Sequence, residues 1–487
     1  MTTSRSFQEI FGKHPTVAAS ARGRVNLIGD HTDYNHGFVL PTVIPQQTTV
    51  ELAVGSGLSQ VYSATLDRMV AFDSGTLTDF ARYVGGCVRV LKDRGAAIPA
   101  LQLRIASDVP VGAGLSSSAA LEVATIRAID ALLGLDLAPD AIAALAHKAE
   151  VEHAGVACGI MDQIACSTGE PGLMLFLDTM TMERRLAPLP KGAELLVVNS
   201  GIPRALAGTQ YNQRRAECEA AAAMLGVASL RLVGDPSAVE RLISPHRERA
   251  RHVVSEDARV LAAIDANATD FGTLMNASHA SLRDDYAVSV PALDELVAAL
   301  QNRSDVFGAR LTGAGFGGCC VALVAAGRAA AIGSDIAAQS LLNSAHDCCT
   351  CDRRDGIGRA VAEPIPSRAV ISYRVVAPPE PEVVPVPVPF PTPLAPEVEP
   401  VEEEPDPRVL PVLVEPPPIE PPPIEPPPVA DPPPVEPPPL RPLPVEVPPV
   451  PADPPPVPPP APWAYPTAEV PAINAATIAA MLIFVHI

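Results

Sequence analysis

Proline constrains this chain more than any other residue. Roughly three-quarters of its 57 prolines lie after Ala362, many in units such as Glu415-Pro-Pro-Pro-Ile and Glu420-Pro-Pro-Pro-Ile. Each proline fixes φ and removes a backbone donor, so neither a helix nor a central strand can run through such units. Polyproline II or a disordered chain remains. The repeats also carry few apolar side chains to offset the entropy of ordering. The sequence therefore reads as two materials, a part that can fold (residues 1–361) and a low-complexity tail (362–487) that cannot build a core.

The folding part is long enough for two globular domains with sizeable cores, expected over 1–185 and 186–361. The net charge of -20 is concentrated in the tail, which has only Arg368, Arg374, Arg408 and Arg441 as basic residues. No Lys/Arg-rich stripe offers a footprint for nucleic acid or an anionic membrane, so neither is expected as a partner. Nine irregularly spaced cysteines suit a reducing compartment. Cys348, Cys349 and Cys351 lack a second CxxC or a His pair to complete a metal set. The opening MTTSRSFQEIFGKH has no basic-then-apolar leader pattern, and the apolar end, Ala472 to Ile487, is shorter than the roughly 20 residues of a membrane helix. A cytoplasmic location is the expectation.

Short β-branched runs at Thr48–Val54 and Leu101–Ile105 predict strands, and apolar spacing of three and four predicts helices over Ser118–Leu133 and Asp140–His153. A second alternation follows: a strand from Glu194, helices around Tyr211–Leu225 and Val290–Leu300, and a strand at Cys319–Val324. The class is α+β.

The segment Gly112-Ala113-Gly114-Leu115-Ser116-Ser117-Ser118 joins a strand to a helix. Small residues let the backbone approach a phosphate, and the N–H groups and dipole of the helix start favour its charge. A capped tight turn would look the same. No Gly-Lys-Ser/Thr follows, so it is not a Walker A loop. Upstream, Gly23-Arg-Val-Asn-Leu-Ile-Gly-Asp-His-Thr-Asp-Tyr34 crowds Arg24, Asp30, His31, Thr32 and Asp33 into one stretch, a polar density suited to gripping a sugar or simply to a solvated turn.

Together these segments resemble the galactokinases, members of the GHMP small-molecule kinases that also include homoserine, mevalonate and phosphomevalonate kinases. Cys158-Gly-Ile-Met-Asp-Gln163 is similar to the family's catalytic-aspartate motif and Leu311-Thr-Gly-Ala-Gly-Phe-Gly-Gly-Cys319 to its third, glycine-rich motif. Tyr211-Asn-Gln-Arg-Arg-Ala-Glu-Cys218 and Ser281-Leu-Arg-Asp-Asp-Tyr286 are also galactokinase-like, so the likeness runs from about Phe7 to Val324. It implies a two-domain fold with the active site between the domains, and transfer of the γ-phosphate of MgATP to the C1 hydroxyl of galactose. By the same resemblance Asp30, His31, Thr32, Asp33, Gly159 and Tyr211 hold the sugar, and residues 112–118 wrap the ATP phosphates. Ser118 and Glu150 bind Mg²⁺, Asp162 is the base, and Arg24 is its cationic partner. Glu152, two residues on, leaves open that Glu150 simply faces water.

Two departures stand out. Asp30 occupies a position where the family usually has glutamate, and one methylene less could move a hydroxyl contact by about an ångström. After Gly327 the likeness fades, returning only at Asp355–Gly358. The tail is then either a fused linker able to dock a protein partner or the product of a reading-frame change. Rival readings of the whole are a non-catalytic galactose- and ATP-binding regulator, a scaffold carried by the tail, and a kinase for a related sugar such as N-acetylgalactosamine or arabinose.

Overall fold

The computed structural model describes residues 5–72, 77, 80–202 and 207–338, and 372–375 as backbone. One compact unit, Thr2–Glu382, holds all of them; the second comprises Met1 and Val383–Ile487. The Glu-Pro-Pro-Pro repeats, the Cys348 cluster and the apolar end lie outside the described residues.

The first half builds an eight-stranded sheet from β1 (Val17–Asn26), β2 (Phe38–Val39), β3 (Pro41–Val54), β4 (Gln60–Ser63), β5 (Arg68–Ala71), β6 (Leu101–Ser107), β7 (Leu173–Asp178) and β8 (Arg184–Pro188). Its order is β2-β7-β3-β6-β4-β5, with β1 added on β3 and β8 on β7. Pairing is antiparallel except between β4 and β6. A short α1 (Phe7–Phe11) precedes it, held by a Ser6–Glu9 capping box. Helices α2 (Ala81–Asp93), α3 (Ser117–Leu133), α4 (Pro139–Ala149) and α5 (Met161–Thr168) pack together, α3 and α5 lying on the sheet.

The second half contributes β9 (Ala193–Asn199), α6 (Ala207–Met224), α7 (His246–Ala263), α8 (Ala268–Asp284), α9 (Pro291–Gln301), β10 (Val306–Leu311) and β11 (Cys319–Ala325). Its four-stranded sheet runs β10-β11-β9-β12, where β12 is Ser372–Val375. Along β9 the side chains alternate between two apolar environments: Leu195 and Val197 join the core beneath the first sheet, Leu196 and Val198 the core under α8 and α9. A strand buried on both faces reads as a continuous apolar run, as Leu195–Val198 does.

Each half carries apolar packing of its own: one cluster runs from Val25, Leu52 and Leu103 through Phe271 and Met275 to Val197 and Val321, and a second, from Leu196 and Val198 to Leu282 and Val297, lies wholly in the second half. One boundary differs from that expected. The tail boundary at 362 falls before β12, which pairs Tyr373 with Val197 and Arg374 with Leu196. Apolar β9 offers a free edge there, and a short stretch ahead of the proline runs covers it.

Candidate active site

The site lies in a cleft of about 700 Å³ lined by the loop before α3, the turn after β1, the start of α5 and part of α6. Its floor begins at Arg24. The β1–β3 register shifts between Arg22 and Arg24, and such irregularities re-aim side chains next to active sites. Arg24 is 4% exposed, and its Nη1 donates to the carbonyl of Gly114 at 2.8 Å. Its backbone N–H donates to the carbonyl of Leu115, so β1 and the glycine-serine loop are tied at two points.

That loop turns through Gly112 and Gly114 at φ 73° and 84°, conformations that favour glycine. Ser116 stands at the N-cap of α3 but makes no capping bond there. Its hydroxyl instead donates to Asp162 Oδ2 at 2.8 Å. The N–H groups opening α3 are thus left for an anion, with the helix dipole behind them. Gly112, Gly114, Ser116, Ser117 and Ser118 line the cleft. Ala113 and Leu115 are buried and turn into the apolar core.

Asp162 sits in the first turn of α5, where the helix dipole favours its charge. Arg24 donates to its Oδ1 twice and Ser116 to its Oδ2 once. A carboxylate has about four lone-pair sites, so one remains on Oδ2, and the side chain keeps 25% exposure beside the cleft it lines.

Asp33 and Gly159 meet so closely that a Cβ on Gly159 would fall 2.1 Å from Asp33 Oδ2. Burial and the nearby Asp162 charge push the Asp33 carboxyl up to about 7. His31, at φ 66°, packs its ring 5.3 Å from that of Tyr211 on α6, and its Nδ1 is 2.8 Å from the Tyr34 hydroxyl. Tyr34 in turn contacts the Tyr286 hydroxyl at 2.7 Å. Asp30 lines the cleft too, yet is firmly held from behind. Asn26 Nδ2 and the Gly313 N–H donate to its Oδ1 at 3.0 and 3.2 Å, and the fully buried Arg310 donates to Oδ2. Thr32 is not a lining residue: it is buried, with its hydroxyl donating to the carbonyls of Gly29 and Phe38.

Asp140–His153 reads in sequence as one helix, but regular winding stops at Ala149 and a π turn spans Glu150–Ala154. Single π turns recur at functional sites. Here the turn separates Glu150, 6% exposed and lining the cleft, from Glu152, half-exposed and paired with Lys148. The solvated alternative therefore describes Glu152, not Glu150. Ser118 hydrogen-bonds Glu150, and burial with the Asp162 charge pushes its carboxyl up to about 7. A hydroxyl and a buried carboxylate, two hard oxygen donors with surplus negative charge around them, fit a divalent cation that keeps several waters.

Sequence reasoning missed Arg310, Tyr34 and Glu122, which lies fully buried in α3. Arg310 immediately precedes the third glycine-rich motif and Tyr34 closes the first one, so proximity to a motif was the available signal. Leu66, Phe80, Tyr83 and Ile105, which also line the cleft, belong to no motif at all.

Three family descriptions match the chain: the galactokinase galactose-binding signature at residues 5–54, the GHMP kinases N terminal domain at 82–170, and the GHMP kinases C terminal domain at 260–339. A galactokinase of Roseiflexus sp. (strain RS-1) is 42% identical over 375 residues, spanning 73% of this chain and 96% of the relative. The crystal structure of Lactococcus lactis galactokinase complexed with galactose superposes with a TM-score of 0.63 at 34% identity, covering 68% of this chain and 92% of that one. Methanococcus jannaschii mevalonate kinase shares the fold alone, with a TM-score of 0.51 at 21% identity over 67% of this chain and 95% of that one.

Proposed function

This chain belongs to the galactokinases of the GHMP kinase family, and on that premise we propose that it phosphorylates the C1 hydroxyl of galactose at the point where Arg24, Ser116 and Asp162 meet. That convergence carries the reading: three residues from three separate motifs share one carboxylate on the floor of the cleft.

The sugar lies against Asp33, His31, Gly159 and Tyr211, with its C1 hydroxyl directed at the remaining lone pair of Asp162 Oδ2. Asp162 accepts the hydroxyl proton as the oxygen attacks the γ-phosphorus, and the bond from that phosphorus to the bridging oxygen breaks as ADP leaves with its electron pair. Arg24 holds the aspartate in position and places positive charge beside the transferring phosphoryl. The N–H groups opening α3 and the turn at residues 112–116 cradle the ATP phosphates. The base enters the cleft between Leu66, Phe80 and Ile105. Ser118 and Glu150 would hold Mg²⁺, which when bound neutralises charge on the phosphate oxygens. Asp30 acts mainly as a clamp between the sugar-side turn and the third motif.

The catalytic reading is favoured over a sugar-sensing regulator because Ser116–Ala120 and Asp162 are intact and mutually engaged. The nine irregularly spaced cysteines support a reaction in a reducing compartment such as the cytoplasm. Among the described residues no helix is long and apolar enough to cross a membrane.

A coupled ADP-release assay over a panel of sugars tests the function. Galactose is expected to turn over far better than glucose, because buried groups that pair with hydroxyls discriminate against an epimer that leaves them unpaired. Protein that binds both ligands without releasing ADP would instead establish the sensor.

A further inference from the structure

Glu122 stands on α3 between Leu121 and Val123, at 0% exposure. The groups acting on its carboxyl are Glu150, Gln163 and Asp162, with no cation among them, and burial pushes it well above the usual carboxylate range. A carboxyl in such surroundings is costly, and an apolar residue of similar volume would serve the core better. Its one hydrogen-bond partner among the described residues is Gln163, whose Nε2 donates to Glu122 Oε2 at 3.3 Å. The same nitrogen donates to Glu150 Oε2 at 2.5 Å. Gln163 is itself fully buried and follows Asp162 in sequence. Two oxygens, Glu122 Oε1 and Gln163 Oε1, have no hydrogen-bond partner among the described residues.

We propose that Glu122 and Gln163 form a buried bracket that fixes the Glu150 carboxylate for the divalent cation, so that Glu122 is a positioning residue that touches neither substrate nor metal. The proposal rests on the assignment of Ser118 and Glu150 as cation ligands. Without Gln163, the partners left to Glu150 among the described residues would be Ser118 and the weak donor Cys158, whose Sγ is 3.7 Å away. With Gln163 alone, the amide could rotate; Glu122 removes that freedom from the far side. Groups that orient a metal ligand from behind typically alter affinity ten- to a hundredfold when removed. The bracket also explains why a carboxyl sits where packing calls for leucine.

The test uses the full chain, with Mn²⁺ as the probe read by electron paramagnetic resonance in the presence of ADP, alongside thermal melting and ADP affinity. Glu122→Leu is expected to weaken Mn²⁺ binding about ten- to a hundredfold while the melting temperature holds or rises. Glu122→Gln, which keeps an acceptor for Gln163, is expected to stay close to the wild type. Gln163→Leu, which cuts the bracket at its other end, should weaken Mn²⁺ as Glu122→Leu does. Unchanged Mn²⁺ binding in both leucine variants overturns the proposal. So does a fall in melting temperature with equal loss of ADP and Mn²⁺, which would make Glu122 structural. Wild-type protein that binds ADP but gives no bound Mn²⁺ signal would instead overturn the Ser118–Glu150 assignment beneath it.

Discussion

Arg24 reaches Asp162 with two nitrogens on one oxygen: Nε at 2.8 Å and Nη2 at 2.5 Å both donate to Oδ1. The fork saturates that oxygen, and Ser116 takes half the capacity of the other. Whatever proton Asp162 accepts must therefore arrive at a single lone pair of Oδ2. The guanidinium is pinned as well, since Nη1 is spent on the Gly114 carbonyl. Asp162, Arg24 and the glycine-serine loop are thus joined by hydrogen bonds before any ligand enters.

Asp162→Asn is expected to lower turnover by about 10²- to 10⁴-fold, the usual worth of a positioned acid–base group. Asn retains an acceptor for Arg24, so ADP affinity and melting temperature should change little. Isothermal titration with ADP beside single-turnover kinetics checks this. A parallel loss of ADP binding would make Asp162 a structural residue.

Asp33 links stability to pH. Its folded carboxyl titrates at about 7 against an ordinary value of 3.8, so between those limits the folded state binds more protons than the unfolded one. Stability then falls as pH rises from about 4 to 7, and Glu150 adds to the same slope. Each tenfold change in the affinity for a proton is worth about 1.4 kcal/mol, so Asp33→Asn should be more stable than wild type at pH 8 by a few kcal/mol and match it near pH 4. Sugar binding should weaken in the same variant. Melts at the two pH values, without ligand, decide it; equal offsets at both would mean that Asp33 is not the titrating group.

Gly159→Ala would place a methyl 2.1 Å from Asp33 Oδ2 and 2.8 Å from its Cβ. Rotating the Asp33 carboxylate alone cannot relieve both contacts, so its backbone must yield. Overpacking of this kind costs about 1–3 kcal/mol. The KM for galactose should rise at least tenfold while that for ATP moves little, because the loop at residues 112–116 is untouched. Steady-state kinetics with each substrate varied in turn provides the measurement.

A chain ending at Val361 lacks β12 and leaves one edge of β9 unpaired between two apolar cores. Open apolar edges promote aggregation. Such a protein should elute as soluble aggregate, whereas one ending at Glu382, the limit of the compact unit, should remain monodisperse and keep full turnover per molecule. Light scattering and ADP release separate the outcomes.

What sequence alone revealed was local. The glycine-serine loop, the polar stretch from Arg24 to Tyr34 and the Asp162 motif each carry their chemistry within a dozen residues, and each lies at the cleft. What it missed depends on distance along the chain. Arg310 finds Asp30 across 280 residues and Gln163 finds Glu122 across 41, separations with no periodicity to betray them. Glu122 is hidden further by its surroundings, because an acid in an alanine-rich helix, like Asp130 two turns on, reads as a solvent-facing position. Glu150 was assigned by resemblance, but its burial depended on a π turn that helical spacing does not announce. β12 escaped because proline dominates the composition of everything beyond it.

The apolar cluster that runs unbroken from Leu103 on the first sheet to Val321 on the second bears on how the molecule comes apart. Separate cores would melt as separate calorimetric events, and either could survive as a proteolytic fragment. A continuous one couples them, so heat absorption should peak once, with van't Hoff and calorimetric enthalpies agreeing for the compact unit. The deepest amides of β3 and β11 should then exchange their hydrogens at the same slow rate, set by global opening. Neither half is then expected to persist as a folded fragment once the other is cut away.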